Sequence, residues 1–350
     1  MARLLGGADL AGAPEQGRLV GRNIEIDGRR YAVKAQIAKG GFATSICACQ
    51  ADNGAWYALK SQVRSADSAE SAAIEQAIRL LEQSSHPHII QYVGSAIATT
   101  GTSKEFLMIT ELCSGGSVVD LLAAGNPLPL AQVANIVHGA AAAIAYLHAK
   151  SPAVTHRDMK VENLLFTSRG VVKLCDFGSA TTEEFFPDET WNAARRSQLE
   201  EQSRRATTPM YRAPEILDTR LGYPVTRLQD VWALGCVLYY ICYRSHPFEA
   251  GEKRRILCAN YNFPEEDREQ YAPFRPLIER TLQPNPRLRP TAADLQQRII
   301  EAFAASSRAV RVDAAVRGVD TTALTGGEPV VGVARGGRME RRDERRPERQ

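Results

Sequence analysis

The chain has 350 residues, 44% of them apolar, which is enough to bury a large core. Its formal net charge of +3 arises within residues 335–350, where seven arginines outnumber four acidic residues, so the composition gives no sign of a nucleic-acid-binding surface. Seven cysteines without paired C-x-x-C spacing predict reduced thiols, and the longest apolar run, 231–243, is too short to span a bilayer. We therefore expect a soluble, cytoplasmic protein with no transmembrane segment and no nucleic-acid partner.

The first third of the chain reads mainly as strands. Residues 1–22 are rich in glycine and alanine, and we predict a flexible segment there. From 23 to 60, short apolar runs are separated by turn signals, of which Asn53-Gly54 is the strongest indication of a hairpin. Residues 69–83 have apolar residues at helical spacing, while 89–98 and 106–112 return to strand patterns.

After Gly115-Gly116 the pattern changes to helices, which we predict at 130–150, 231–243 and 295–305. A small β-rich part followed by a larger helical part predicts an α+β fold with two lobes, 23–112 and 113–305, that meet at the polar motifs. Beyond 305 the periodicity fades, and 306–350 is predicted to be a largely disordered tail rich in arginine and glutamate.

The most informative stretch is 156–163 (HRDMKVEN), followed by 176–178 (DFG). This set suits phosphoryl transfer from a nucleotide to a hydroxyl group. Asp158 can accept or orient the hydroxyl proton, and Lys160 can offset charge on the moving phosphoryl group. Asn163 and Asp176 supply hard oxygen ligands of the kind that Mg²⁺ prefers.

With Ala213-Pro214-Glu215, these motifs resemble those of eukaryotic protein kinases, and the resemblance covers residues 30–305. It implies a two-lobed Ser/Thr kinase that uses ATP and Mg²⁺ and phosphorylates serine or threonine in protein substrates. Thr208 is expected to touch Asp158 and Lys160, as in Ser/Thr kinases.

Two scaffold contacts follow from the same resemblance. Glu215 is expected to form a structural ion pair with Arg289, which would anchor the substrate platform. Asp230, at the start of a predicted helix, is expected to brace the backbone of the 156–163 loop.

The nucleotide-binding residues are also implied by the resemblance. Lys60 matches the lysine that pairs with the α- and β-phosphates, and Gly40 and Gly41 would let the backbone approach the phosphates, although alanines replace the flanking glycines of the usual loop. The adenine pocket would be lined by Ser45, Ala58, Glu111, Cys113 and Leu165, with Ser45 where a valine normally covers the ring.

The helix carboxylate that would hold Lys60 is ambiguous. Counting back from His86-Pro87 without a gap puts Gln76 at the expected position. Glu75 requires a one-residue insertion, but only a carboxylate completes an ion pair, so we predict Glu75 as the fourth catalytic residue.

A finer resemblance is to the Numb-associated kinase family. It is carried by 40–43 (GGFA), 173–182 (KLCDFGSATT), 207–212 (TTPMYR) and 246–249 (HPFE). It implies phosphorylation of clathrin adaptor subunits in endocytic traffic, a peripheral location on coated vesicles, and an extra helix at 190–205 within the activation segment.

Two rival functions remain open on the sequence. A pseudokinase acting as a nucleotide-binding interaction module is favoured by the loop alanines and by the ambiguity between Glu75 and Gln76. A small-molecule kinase is opposed by the Thr207–Glu215 platform, which suits an extended peptide.

Overall fold

The computed structural model describes residues 3–5, 19–40, 44–264 and 269–306. The strands are β1 (Arg3–Leu5), β2 (Asn23–Ile26), β3 (Arg29–Gly40), β4 (Thr44–Ala51), β5 (Trp56–Ser65), β6 (Tyr92–Thr100), β7 (Ser103–Glu111), β8 (Leu164–Phe166) and β9 (Val172–Leu174). The helices are α1 (Ala69–Glu82), α2 (Val118–Ala123), α3 (Leu130–His148), α4 (Ala193–Ala206), α5 (Pro214–Leu217), α6 (Leu228–Tyr243), α7 (Lys253–Leu257), α8 (Arg275–Thr281) and α9 (Ala292–Ser306). A β-rich part followed by a helical part is thus confirmed.

The first seven strands form one antiparallel sheet in the order β1-β2-β3-β4-β5-β7-β6. The predicted Asn53-Gly54 turn joins β4 to β5, and Gly54 has a φ of +82°, which favours glycine. In the register of the central strands, Lys60 of β5 lies between Ile46 of β4 and Met108 of β7. Lys60 therefore stands in the middle of the sheet.

The segment 1–22, expected to be flexible, contributes to this sheet. Its residues Arg3–Leu5 form β1, which pairs with β2 in antiparallel register. Leu19 is buried with Ile24, Ile26 and Tyr31 in a core on one side of the sheet. The apolar pattern around residue 19 is too short to predict this contact, because its partners are supplied by strands later in the chain. The tail predicted at 306–350 lies outside the described residues, apart from residue 306 itself.

Helix α1 packs on the sheet through one apolar stripe. Ser68 begins the helix, since its side chain accepts a hydrogen bond from the Ser71 backbone N–H. Ile74 and Ile78 then pack on Phe106 of β7. Apolar burial, rather than charge, sets the rotation of α1 about its axis.

The core of the helical part is built on α3 and α6, and α3 also packs along α9. By length and composition α3 is the one helix of the described residues that could cross a membrane, which the apolar runs of the sequence did not predict. However, 61% of the apolar stretch of α3 is buried inside the protein. Burial of this kind is typical of a core helix.

A bidentate ion pair ties the end of the 176–215 segment to the helical core, as predicted. The Arg289 guanidinium donates to both carboxylate oxygens of Glu215 at 2.7 Å, and neither side chain is exposed. Arg289 also donates to the carbonyls of Gln283, Pro284 and Leu228. The charges are therefore buried with their hydrogen-bonding groups satisfied.

Replacing Arg289 with methionine should lower the free energy of unfolding by about 3–5 kcal/mol, because Glu215 would remain buried without a counter-charge. Urea denaturation measures the change. The control is Arg287→Met in the same turn, where the arginine is exposed and the urea midpoint should hardly move. Equal losses in both variants would contradict this role for the pair.

Candidate active site

A cavity of about 310 Å³ lies between the sheet, α1 and the β8–β9 region. Most of its lining is apolar, but the side chains of Lys60, Asn163 and Asp176 reach it from three separate elements. These three residues lie at widely separated positions in the chain. The fold therefore brings the predicted phosphate- and metal-binding residues to one cavity.

Asp158 is the centre of a hydrogen-bonded group next to Asn163, which lines this cavity. Its Oδ1 accepts from the Thr208 hydroxyl at 2.7 Å, and its Oδ2 lies 2.8 Å from Lys160 Nζ. Lys160 Nζ also donates to Thr208 Oγ1 at 3.1 Å, so the predicted contacts of Thr208 are confirmed. The Asp158 carboxylate, the Lys160 ammonium group and the Thr208 hydroxyl thus meet at one point. The hydroxyl of a substrate could take the place of the Thr208 hydroxyl there.

The loop that carries Asp158 is held by Asp230 of α6, as predicted. Asp230 is fully buried, and its two oxygens accept from the backbone N–H groups of His156 at 2.7 Å and Arg157 at 2.8 Å. His148 Nε2 lies 3.0 Å from the same carboxylate. Burial alone would raise the pKa of Asp230, but His148, His156 and the His156 N–H outweigh it and hold the pKa below its ordinary value.

Lys60 and Asp176 form a direct ion pair with a separation of 2.8 Å between Nζ and Oδ1. Burial alone would raise the pKa of the Asp176 carboxyl, but the adjacent Lys60 ammonium outweighs this effect and the pKa is lowered. Asp176 has a φ of +61°, and its side chain accepts from the Gly178 N–H at 3.4 Å. The carboxylate is therefore ionised and aimed into the cavity.

Asn163 presents the other predicted metal ligand. Its Nδ2 donates to the Asp158 carbonyl at 2.7 Å and to Asp158 Oδ2 at 3.1 Å. The amide is oriented by these two bonds, which leaves its Oδ1 for a ligand on the cavity side. One amide oxygen and one ionised carboxylate fit Mg²⁺, which takes few protein ligands and keeps phosphate and water oxygens for the rest.

The apolar end of the cavity contains most of the residues predicted to surround adenine. Ala58, Glu111, Cys113 and Leu165 all line it. Glu111 is fixed from behind, since its side chain accepts from the Gln91 N–H at 2.8 Å and pairs with Lys173 at 2.7 Å. Burial raises the pKa of the Cys113 thiol to about 12, so this thiol is protonated.

The prediction for Ser45 is wrong, because the adjacent Ile46 lines the cavity instead. Ile46 is the cross-strand partner of Lys60, whereas Ser45 is the partner of Ser61, and paired residues share one face of a sheet. Ser45 instead contacts Cys47 Sγ at 3.5 Å. Gly40 ends β3 opposite Thr44, and Gly41 lies outside the described residues.

The predicted ion pair between Glu75 and Lys60 is absent from the described residues. Glu75 Oε1 lies 3.0 Å from Lys104 Nζ, and Lys104 is four residues along β7 from Met108, the partner of Lys60. Four residues of strand span about 13 Å. Glu75 therefore pairs with a lysine farther along β7, while Lys60 pairs with Asp176.

Gln76 does not replace it, because the α1 residues that line the cavity are Ile74, Ala77, Ile78 and Leu81. The apolar stripe that anchors α1 is also the face toward the cavity that Lys60 lines. Successive helix residues are rotated by about 100°, so Glu75 and Gln76 are carried away from the cavity. The prediction of Glu75 was wrong because it rested on the chemistry of a carboxylate and not on which face of α1 is apolar.

The segment between Asp176 and Glu215 contains α4, so the helix predicted at 190–205 is confirmed. Asn192 begins it by accepting from the Arg195 N–H, and Leu199 is buried with Trp191 and Ile216. Arg157 donates through Nε to the Ser179 carbonyl, and burial lowers the pKa of this guanidinium. The start and middle of the segment are thus both attached to the helical part.

Comparison with known proteins agrees with this geometry. The family model described as "Protein kinase domain" matches residues 31–299. The chain belongs to the protein kinase family.

The kinase domain is similar to several curated proteins. Two probable serine/threonine-protein kinases of Dictyostelium discoideum are 31% identical over 70% of this chain and 32% identical over 84% of it. Actin-regulating kinase 1 of Saccharomyces cerevisiae is 33% identical over 64% of it. The matches cover 22%, 37% and 35% of these relatives, so the chain spans only about a fifth to just over a third of their length.

Two histidines pack together between α1 and β9 in the kinase domain. The rings of His86 and His88 are 5.8 Å apart, and His88 Nδ1 lies 2.9 Å from the Val172 carbonyl. The ring of His138 lies 6.4 Å from that of His88. Burial is the main cause that lowers the pKa of both His86 and His88, and the Lys173 charge acts in the same direction.

The free energy of unfolding should therefore decrease as the pH falls below about 6.5, the ordinary histidine pKa, because the unfolded chain takes up these protons first. Thermal midpoints between about pH 8 and about pH 5.5 test this expectation. The double variant His86→Gln/His88→Gln, which cannot titrate at these positions, should show a shallower slope. An unchanged slope would assign the pH dependence to other groups.

Proposed function

We propose that the chain is an ATP-dependent serine/threonine protein kinase. The observation that carries the proposal is the Thr208 hydroxyl on Asp158, 2.7 Å from Oδ1, with Lys160 within 3.1 Å of the same hydroxyl. A substrate hydroxyl that took this place would donate its proton to Asp158. Lys160 would offset the charge that develops on the transferred phosphoryl group.

Nucleotide and metal binding follow from the opposite side of the cavity. Lys60 would donate to phosphate oxygens, and Asp176, its present partner, would also be a ligand for a metal ion. Asn163 and Asp176 would hold Mg²⁺, which supplies charge neutralisation at the phosphates when bound. The apolar end, between Ile46 and Leu165, would enclose the adenine.

The direct test is transfer of labelled phosphate from ATP to protein, with and without Mg²⁺. In Asp158→Asn the rate should fall by at least ~100-fold, since the general base is lost. Nucleotide binding should persist, because Lys60 and Asp176 are untouched. Transfer that survives in this variant would remove Asp158 from the proposed role.

A second variant tests the position of α1. In Glu75→Gln, kcat/KM for ATP should change by less than about fivefold, because Glu75 forms only a partly exposed pair with Lys104. Lys60→Met serves as the comparison and should abolish transfer. A loss in Glu75→Gln as large as that in Lys60→Met would mean that α1 turns during the reaction and forms the predicted pair.

A pseudokinase is the second candidate, and a specific observation favours it. The face of α1 that meets Lys60 carries apolar side chains in place of a carboxylate, so Lys60 lacks the usual ion pair from the helix. Such a domain would bind nucleotide without transferring phosphate. Nucleotide binding by calorimetry together with absent transfer to any protein substrate would favour this function over the first.

We further propose that the domain has two lobes and belongs to the Numb-associated kinases. The motif runs at 40–43 and 173–182 support this placement, as does a helix within the activation segment. Clathrin adaptor subunits would then be substrates, and the protein would be cytoplasmic and peripheral on coated vesicles. Phosphorylation of an adaptor medium-subunit peptide tests the substrate, and absent transfer to it would reject the adaptor while leaving the kinase.

A further inference from the structure

The C-terminal end of α4 presents an unbalanced group of cations beside Thr208. Arg204 and Arg205 share a single carboxylate, Glu201, at 3.5 Å and 3.1 Å. Their side chains are 50% and 79% exposed. Arg212 lies next to them and adds a third cation, so the group as a whole carries a net positive charge.

These cations are not needed to complete the end of the helix. Arg212 already donates from Nη2 to the carbonyls of Arg204 at 2.8 Å and Thr207 at 3.0 Å. Basic side chains in a last turn commonly stabilise a helix through its unpaired carbonyls. Because Arg212 binds these carbonyls, the guanidinium groups of Arg204 and Arg205 are not needed there and face solvent.

The group is held rigidly with respect to the reaction centre. Arg212 Nε donates to Thr207 Oγ1 at 3.1 Å, and the Thr207 hydroxyl donates to the Ser203 carbonyl at 2.7 Å. The next residue, Thr208, is bonded to Asp158. Arg205 is three residues from Thr208, so their Cα atoms are at most about 10 Å apart.

A distance of about 10 Å is also the span of three residues in an extended peptide. An acidic side chain within three residues of the phosphorylated hydroxyl can therefore reach Arg204 or Arg205. Burial lowers the pKa of Arg212, and the neighbouring Arg204 charge lowers it further, which shows that the cations of this group repel one another.

We propose that Arg204 and Arg205 form a substrate-selecting surface that recognises an aspartate or glutamate within three residues of the acceptor serine or threonine. The proposal rests on the proposed kinase function, and it adds a substrate class to it. The partner is an acidic peptide segment, bound in extended form beside Thr208. Arg212 is a positioning residue, because it acts by fixing the end of α4.

The test compares two peptides that differ only in three flanking aspartates, replaced by asparagine in the second. Wild-type protein should phosphorylate the acidic peptide with a kcat/KM about tenfold higher, mainly through KM, and the preference should shrink at high salt. In Arg204→Ala/Arg205→Ala the ratio of the two kcat/KM values should fall to about threefold or less. Equal rates for both peptides in the wild-type protein would overturn the proposal.

The matched control is Arg195→Ala, which removes a cation from the other end of the same helix. Arg195 stacks on Trp191 at 3.8 Å from the ring centroid. The peptide ratio should stay at its wild-type value in this variant. A fall equal to that in the double variant would assign the preference to overall charge and overturn the surface.

Peptide binding separates failure of this inference from failure of the proposed function. Fluorescence anisotropy of the two labelled peptides measures affinity without phosphoryl transfer. If neither peptide is phosphorylated but the acidic one binds more tightly through Arg204 and Arg205, the proposed surface is supported and the proposed kinase function is rejected. If the two peptides bind equally, the surface is wrong whatever the activity.

Discussion

The geometry of the reaction centre depends on one fully buried carboxylate, Asp230. It accepts two backbone N–H groups of the catalytic loop, from His156 and Arg157, and is paired with His148. An ionised carboxylate removed from water is costly unless its oxygens are hydrogen-bonded, so the loop and Asp230 stabilise one another. Arg157 has a φ of +67°, a conformation that this backbone clamp holds. Asp158 is the next residue, so the two hydrogen bonds from His156 and Arg157 to Asp230 also set its position.

The activation segment is attached to the same framework at several points. Glu215 and Arg289 hold its end through a buried bidentate pair, and Thr208 bonds to Asp158. Helix α4 lies between Asp176 and Thr208 in this segment. Arg212 links the last turn of α4 to the loop that carries Thr208. Charges at the end of α4 therefore keep a fixed relation to the reaction centre. This rigidity allows a surface pair of arginines to select substrates.

The nucleotide side is less conventional for a protein kinase. Lys60 pairs with Asp176, while the helix that normally supplies its carboxylate presents Ala77 and Leu81 to the cavity. The apolar face of α1 thus closes the back of the cavity, and Glu75 stabilises the outer end of the sheet through Lys104. A metal ion held by Asp176 would compete with Lys60 for this carboxylate, because both carry positive charge.

Turn residues, periodicity and motif spacing are local properties of the chain, so they were enough to predict a β-rich part before a helical part, the turn at Asn53-Gly54 and the motif residues Asp158, Asn163 and Asp176. Packing between distant parts of the chain sets the two features that local patterns did not predict: Ile46 rather than Ser45 lines the cavity, and Glu75 pairs with Lys104 rather than with Lys60. The facing side of a strand or helix is set by apolar partners distant in sequence, such as Phe106 for α1. Local patterns indicate which sides of a strand or helix are apolar, and burial against those distant partners determines which side faces the core.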